Sequence, residues 1–318
     1  MRLTNNALLL PIKKVDTRDL LRDSGRSEKE TAKIIANTGI LSFRNASPKL
    51  LTEFIFDGLG KLQTQHEHFF TDVDAVIVVS QSFDERIPSI STRIQSKFNI
   101  QSDAFCIDLM DGCCGYIKAL SLAQLLEAQG FKKSLVVAGD LNSMMTTKAD
   151  IGTKILFGDG VSVTTLEADT SELAVRLFND GDNEKIITCV NHDNVMRMNG
   201  FEVFRFTKNM VPPLITTFLE ETGQTLSSFD VLALHQASRL VVSTICNQLN
   251  YQNKLADNFA CAEIGNIGAG SIGAWLATAT ELPIAGPQKM LAVGFGAGLS
   301  WGLASLLVDV HTNEIINV

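Results

Sequence analysis

The sequence predicts a largely parallel α/β fold, and three observations carry that prediction. Short β-branched runs alternate with helical stretches along the whole chain. The runs are continuously apolar, as strands covered on both faces are. Small-residue turns then open into apolar helices, the grammar of strands joined by helical crossovers. With 318 residues, the chain has room for one large or two mid-sized domains.

Taken in order, Met1 to Pro11 contains the apolar run Ala7–Leu10 and reads as a first strand. The run is too short for a signal-peptide core, and no small-residue cleavage site follows it. No window approaches the roughly 18 apolar residues of a membrane span. The expectation is a soluble, unexported, cytoplasmic protein with no membrane partner. Asp74-Ala-Val-Ile-Val-Val-Ser is the next strand, and Tyr116–Gln129 a helix. Ser134-Leu-Val-Val-Ala-Gly is a strand, Pro212–Thr222 a helix, and Asp230-Val-Leu-Ala-Leu-His and Lys289-Met-Leu-Ala-Val-Gly-Phe are two further strands. A faint repeat runs through this order: an Asp-led strand, a helix, a small-residue turn opening into an apolar helix, then another strand. It divides the chain into two halves, 1–165 and 166–318, with no Pro- or Gly-rich linker between them.

Composition narrows the function. Hydrophobic residues make up 45% and charged residues only 19%, which suits a chain buried further by self-association. The net charge of −8 and the absence of a basic run argue against a nucleic-acid partner. Six scattered cysteines, Cys106, Cys113, Cys114, Cys189, Cys246 and Cys261, show neither a metal spacing nor a disulfide framework, and a reducing cytoplasm would keep them as thiols.

Four motifs carry candidate chemistry. In Asp111-Gly-Cys-Cys-Gly the helix from Tyr116 follows at once. Its N-terminus would favour a thiolate at Cys113, and the flanking glycines let a substrate approach. The same motif also suits a buried structural thiol at a tight turn. His235 ends a strand, where ligands of α/β sheets bind, although a lone histidine is as often a core or capping group. Asn266 opens Gly265-Asn-Ile-Gly-Ala-Gly-Ser-Ile-Gly. The dinucleotide reading of these glycines fails, because the motif lies late in the chain and the region after Glu281 offers only Pro283, Gly286 and Pro287 where an acid should stand. Gly294-Phe-Gly-Ala-Gly-Leu-Ser-Trp-Gly is a glycine-dense strand end whose amides could serve an oxyanion or simply make a tight turn.

Together these motifs resemble the β-ketoacyl-acyl carrier protein synthase III family. The resemblance runs nearly end to end. It rests on Leu9-Leu10-Pro11, Thr38-Gly39-Ile40, Pro88-Ser89, the Asp108-to-Cys113 spacing, Phe157-Gly-Asp-Gly, Met198-Asn-Gly-Phe-Glu-Val-Phe, His235-Gln-Ala, Gly265-Asn266 and the motif from Gly294, all in order. It implies a thiolase-like five-layered αβαβα fold with two pseudo-duplicated halves, and a homodimer. It also implies a ping-pong reaction. Cys113 would take an acyl group from a thioester. His235 and Asn266 would hold the thioester carbonyl of a malonyl extender on acyl carrier protein as it loses carbon dioxide. The backbone of Cys113 and of the Gly296–Ala297 turn would form the oxyanion hole, with Phe295 pressing on the site from behind. No metal or other cofactor is implied.

The departures from the family bear on the substrate. The positions of its adenine clamp hold Lys33, Asn37 and Ile151, so the resemblance points away from coenzyme A toward a carrier-bound donor. An acidic carrier would dock on basic residues. Arg205 matches one such family position, and Arg239 stands beside Leu240, which replaces another. Ser238 replaces the usual Asn. Ile87 takes the place of an aromatic residue that often limits the acyl pocket, and Cys114 that of an Ala. Two other readings compete: a non-elongating acyltransferase on the same fold, and an inactive partner subunit of a heteromeric synthase.

Overall fold

The structure, a computed structural model, describes residues 1–170, 173–190, 192–251, 259–279 and 286–318. Its main sheet contains Arg2–Leu10 (β1), Ala75–Ser80 (β2), Phe105–Met110 (β3), Lys133–Leu141 (β4), Asp159–Glu167 (β5), Ala174–Asn179 (β6), Val231–Leu234 (β7), Gln288–Gly296 (β8) and Ser300–Asn317 (β9). The strand order is β7-β8-β9-β1-β5-β4-β2-β3, with β6 also paired to β9. The strands expected from Asp74, Ser134, Asp230 and Lys289 are β2, β4, β7 and β8, each within two residues of its expected ends.

Both portions of the sheet follow one pattern. In the first, β1 pairs antiparallel with β5, β5 antiparallel with β4, and β4 parallel with β2. In the second, β6 pairs antiparallel with β9, β9 antiparallel with β8, and β8 parallel with β7. The leading aspartates play one part in each. Asp74 accepts the backbone N–H of Lys132 (2.6 Å) and Lys133 (2.9 Å), and Asp230 accepts that of Lys289 (2.8 Å). Each thus ties the start of its strand to the start of the neighbouring one. β9 is long enough to leave its own portion. It pairs with β8 up to Val308, then runs parallel to β1 from Leu307 to Asn317, and so makes the two portions one sheet.

Side-chain direction then builds the layers, because successive residues of a strand point to opposite faces. Ala75, Ile77 and Val79 of β2 face inward, as do Ala233 of β7 and Met290 and Ala292 of β8. They pack against two central helices, Gly115–Ala128 and Ser271–Thr278. Val76 and Val78 face outward, onto Leu51–Gln65 and Ile90–Lys97. Leu232, Leu234, Leu291 and Val293 face outward on the other side, onto Gly200–Thr222 and Arg239–Gln248. With Glu28–Thr38 these helices are, in chain order, α1 (28–38), α2 (51–65), α3 (90–97), α4 (115–128), α5 (200–222), α6 (239–248) and α7 (271–278). The result is the five-layered αβαβα stack: α2 and α3, sheet, α4 and α7, sheet, α5 and α6. Each fully buried Val, Ile or Leu contributes about 1.5–3 kcal/mol, which is why strands covered on both faces carry no polar alternation.

Two features differ from expectation. The sheet is mixed rather than largely parallel, because β5 runs antiparallel to both its neighbours and β9 antiparallel to β8 and β6. The helix foreseen from Pro212 begins twelve residues earlier, at Gly200, and the two prolines lie inside it. Its start is set by Asn199, whose side chain accepts the N–H of Glu202 (3.2 Å). Its end is set by Gly223 in the left-handed conformation.

Candidate active site

Three strand ends meet at one cavity of about 90 Å³, lined by Cys113, His235, Asn266, Phe295 and Gly296, with Phe157, Ile187, Met198, Val203, Phe204 and Ala237 among its other walls. Apart from Cys113, His235, Ser238 and Asn266, the lining residues are apolar side chains or glycines.

Cys113 lies in the turn between β3 and α4, which Gly115 N–H closes onto Gly112 C=O (2.7 Å). The helix starts two residues after the thiol, which is half-buried beside the cavity. Burial pushes the Cys113 thiol well above its ordinary value, and the nearby carboxylates of Asp140 and Asp111 push the same way. Asp111 is held in an ion pair by Lys118, part of the thin polar stripe on α4. Gly296 is glycine for a steric reason. A Cβ there would lie 2.8 Å from Cys113 Cβ and 3.1 Å from Sγ, so the end of β8 presents bare backbone to the nucleophile. Ala297 lies one residue beyond and does not line the cavity. Cys114 is buried in the central core.

His235 continues β7, its N–H donating to Val293 C=O (2.8 Å). The ring and that of Phe295 lie edge to face, with centroids 5.1 Å apart. Only 2% of His235 is exposed, and burial pushes its pKa down to about 3, so the imidazole is neutral. Nδ1 lies 2.6 Å from the Ser271 hydroxyl at the start of α7.

Asn266 is fixed by its backbone and its side chain. Its N–H donates to Leu156 C=O (2.9 Å), and its C=O accepts from Gly158 N–H (3.0 Å) and Asn142 Nδ2 (3.2 Å). Oδ1 accepts the N–H of Gly268 (2.9 Å). A backbone N–H can only donate, so the amide orientation is settled, and Nδ2 is the donor left for the cavity. Gly268 supplies that N–H from a left-handed φ of +61°. A Cβ at Gly268 would come within 2.0 Å of Asp140 Oδ2. Asp140 is fully buried, and its other oxygen accepts Ser80 Oγ (2.8 Å) and the N–H groups of Gln81 (2.6 Å) and Ser82 (3.2 Å). Sequence reasoning passed over Asn142, Asp140 and Ser271, which hold the site without lining it. Ser271 stood inside the quoted motif, where attention went to the glycines.

The residues assigned to substrate contacts lie elsewhere. Ile87 does not line this cavity: it is 86% exposed, in the loop before α3. Arg205 is exposed on α5 but ion-paired to Glu202 on the same helix. Arg239 is exposed at the start of α6, its guanidinium 5.7 Å from the ring centre of Phe259. Lys33 and Asn37 are exposed one turn apart on α1. Among the described residues, no group of three His, Cys, Asp or Glu side chains could hold a metal ion.

A cysteine, a neutral imidazole and an oriented carboxamide at the strand ends of this five-layered fold define the chain as an acyl-transferring condensing enzyme. Two family models match it: 3-oxoacyl-[acyl-carrier-protein] synthase III over residues 107–181, and the C-terminal part of the same synthase over residues 219–308. The chain is 31% identical to β-ketoacyl-[acyl-carrier-protein] synthase III of Streptococcus pneumoniae over 294 residues, covering 86% of this chain and 90% of that one. It is also 31% identical to the Streptococcus agalactiae enzyme of the same name over 258 residues, or 76% and 78% of the two chains. Among solved structures, the β-ketoacyl-[acyl-carrier-protein] synthase III of Thermus thermophilus superposes with a TM-score of 0.85 at 26% identity, covering 96% of this chain and 98% of that one. The 3-oxoacyl-(acyl-carrier protein) synthase of Burkholderia xenovorans superposes with a TM-score of 0.89 over 100% and 97%, a likeness of fold at 24% identity. The chain belongs to the 3-oxoacyl-[acyl-carrier-protein] synthase III family.

Proposed function

We propose that this protein catalyses the decarboxylative condensation of an acyl thioester with a malonyl thioester on acyl carrier protein, through an acyl-Cys113 intermediate, giving a 3-oxoacyl product in fatty-acid or specialised acyl-chain biosynthesis. In the first half-reaction the Cys113 sulfur forms a bond to the acyl carbon. The donor's thiol departs, carrying the proton that Cys113 gives up. In the second, the malonyl group loses carbon dioxide and its thioester becomes an enolate, held by His235 and Asn266. The enolate carbon attacks the acyl carbonyl, the carbon–sulfur bond breaks, and Cys113 is released. Backbone at Cys113 and Gly296 faces the oxyanion of the acyl group. No cofactor enters these steps.

The observation that carries this reading is the anchored Asn266, whose Oδ1 is tied to Gly268 N–H while Nδ2 remains to donate. Simple acyl transfer has no use for such a donor, so decarboxylation is favoured over the non-elongating alternative. The protein would be incubated with acyl and malonyl carrier thioesters and its intact mass and products read. We expect a mass gain on the wild type that Cys113→Ala lacks. Asn266→Ala should keep the mass gain and lose condensation by about 10²–10³-fold. Unchanged condensation by Asn266→Ala would overturn the reading, and acyl transfer without added carbons would support the alternative. No turnover with any donor would favour the inactive-partner reading.

The acyl donor is carrier-bound in this proposal, with Arg205 and Arg239 as the exposed basic positions that an acidic carrier would meet and Ile87 as the acyl-pocket residue. We read the molecule as a cytoplasmic homodimer of two duplicated halves, 1–165 and 166–318. No helix among the described residues is long and apolar enough to cross a membrane, and none of the six cysteines forms a disulfide.

A further inference from the structure

We infer that Ser271 is a positioning residue that holds His235 in one tautomer, with the hydrogen on Nε2, so that the imidazole acts as a hydrogen-bond donor rather than as a base. The inference rests on the role proposed for His235 and adds the group that enforces it. Its basis is an account of hydrogens. The Ser271 hydroxyl lies 2.6 Å from His235 Nδ1 and also receives the backbone N–H of Gln236 at 3.3 Å. A backbone N–H can only donate, so one lone pair of Oγ is already engaged and the hydroxyl hydrogen is available to donate. Among the described hydrogen bonds of that hydroxyl, Nδ1 is the one acceptor it reaches. A nitrogen that accepts carries no hydrogen, and a neutral imidazole has one. The other tautomer would have Nδ1–H donate to the second lone pair of Oγ and leave the buried hydroxyl hydrogen with no acceptor among the described hydrogen bonds, which places the ring hydrogen on Nε2.

Burial keeps the ring neutral by pushing its pKa down to about 3. The contrast with a His–carboxylate pair is the point. An acid on Nδ1 would favour an imidazolium and with it acid–base work, as in triads. A serine hydroxyl supplies no charge, so it orients the ring without making it basic. Asn266 is fixed by the same logic from the opposite side. Gly268 N–H occupies its Oδ1 and leaves Nδ2 to donate. Two neutral donors are thus set at the cavity by two groups of one short segment, Gly268 and Ser271. Ser271 is 1% exposed and heads α7, so its hydroxyl is placed by the core rather than by solvent. Neutral N–H donors stabilise a developing enolate without needing a proton in flight, which suits a decarboxylation.

The test combines a spectroscopic readout with a split of the half-reactions. In uniformly ¹⁵N-labelled wild-type protein, with His235→Gln to assign the ring, the His235 resonances should show Nδ1 as the unprotonated nitrogen and Nε2 as the protonated one at pH 7. Ser271→Ala should leave acylation of Cys113, read by intact mass, within about threefold of wild type. The same variant should lower malonyl decarboxylation about 10–100-fold, mainly in kcat, and its ¹⁵N spectrum should show a mixture of tautomers. Ser271→Thr, which keeps the hydroxyl, should recover decarboxylation and the single tautomer. A wild-type spectrum with the hydrogen on Nδ1 overturns the inference even if every variant fails to fold, as does full decarboxylation by Ser271→Ala. A wild type that neither acylates nor decarboxylates, yet shows the Nε2–H tautomer, would instead count against the proposed reaction and leave the positioning by Ser271 standing.

Discussion

At the scale of single residues, the site is a set of polar groups left with one capacity each. His235 illustrates the cost of such an arrangement. Its folded-state pKa lies near 3, below the 6.5 it has when exposed. Its contribution to stability is therefore fully present above pH 6.5 and is lost as the pH falls from there toward 3, because only the unfolded chain takes up the proton. Between pH 7 and pH 5 the wild type should lose about 2 kcal/mol more than His235→Gln does, by about 1.4 kcal/mol per pH unit below 6.5. Urea midpoints of the two proteins at both pH values measure it, and equal slopes would show that the ring is not buried neutral. Cys113, His235 and Asn266 are singled out in the sequence only by the ordered resemblance of their motifs to the family, because each motif taken alone suits a structural turn, cap or packing role as well. The direction of the Cys113 shift was not legible there. The helix terminus is visible in sequence, whereas the burial that pushes the thiol the other way is a property of the packed site. Ser271, Asn142 and Asp140 were missed for the same reason: their roles are hydrogen bonds between segments far apart in sequence.

At the scale of elements, the Asn266–Gly268 turn approaches the end of β4 closely enough to admit only glycine. Gly268→Ala would place a methyl group within 2.0 Å of Asp140 Oδ2, at a φ of +61° that favours glycine. We expect it to destabilise the protein by about 1–3 kcal/mol and to disturb the N–H that orients Asn266. Combined with Asp140→Ala, part of that loss should be recovered, since the opposing oxygen is gone. A double-mutant cycle on thermal unfolding reads the coupling, and strict additivity would show that the two segments do not press on each other. The strands were legible here because doubly covered strands are continuous apolar runs. The start of α5 was obscured by Pro212-Pro213, which reads as a helix opening. The true signal, Asn199 with Glu202 three residues on, was present but lay outside any apolar period.

At the scale of the whole molecule, β3 is an outer strand of the sheet, and the apolar Met110 at its end is 76% exposed. Asp108 of β3 accepts the N–H groups of Ile90 (2.6 Å) and Ser91 (2.9 Å), which brings the loop carrying Ile87 to the same edge. An open edge flanked by exposed apolar residues is a surface for strand pairing with another chain. Light scattering should give twice the chain mass, and Met110→Glu should shift the protein toward monomer. A wild-type monomer at micromolar concentration would overturn the homodimer. The two portions of the sheet were legible as a faint repeat, anchored on Asp74 and Asp230. That they share one sheet was not, because nothing local marks the point at which β9 passes from β8 to β1.

The reach of β9 has a consequence in time. β1 leaves the ribosome well before either of its neighbours, and β5 is the first of them to follow and cover one of its edges. The other edge waits for residues 307–317, made some 300 residues later, which at 5–20 residues per second is roughly 15–60 s. For that interval the nascent chain carries an apolar strand with an uncovered flank, so the growing polypeptide depends on chaperones or on its own collapse to keep that flank from strangers until β9 arrives.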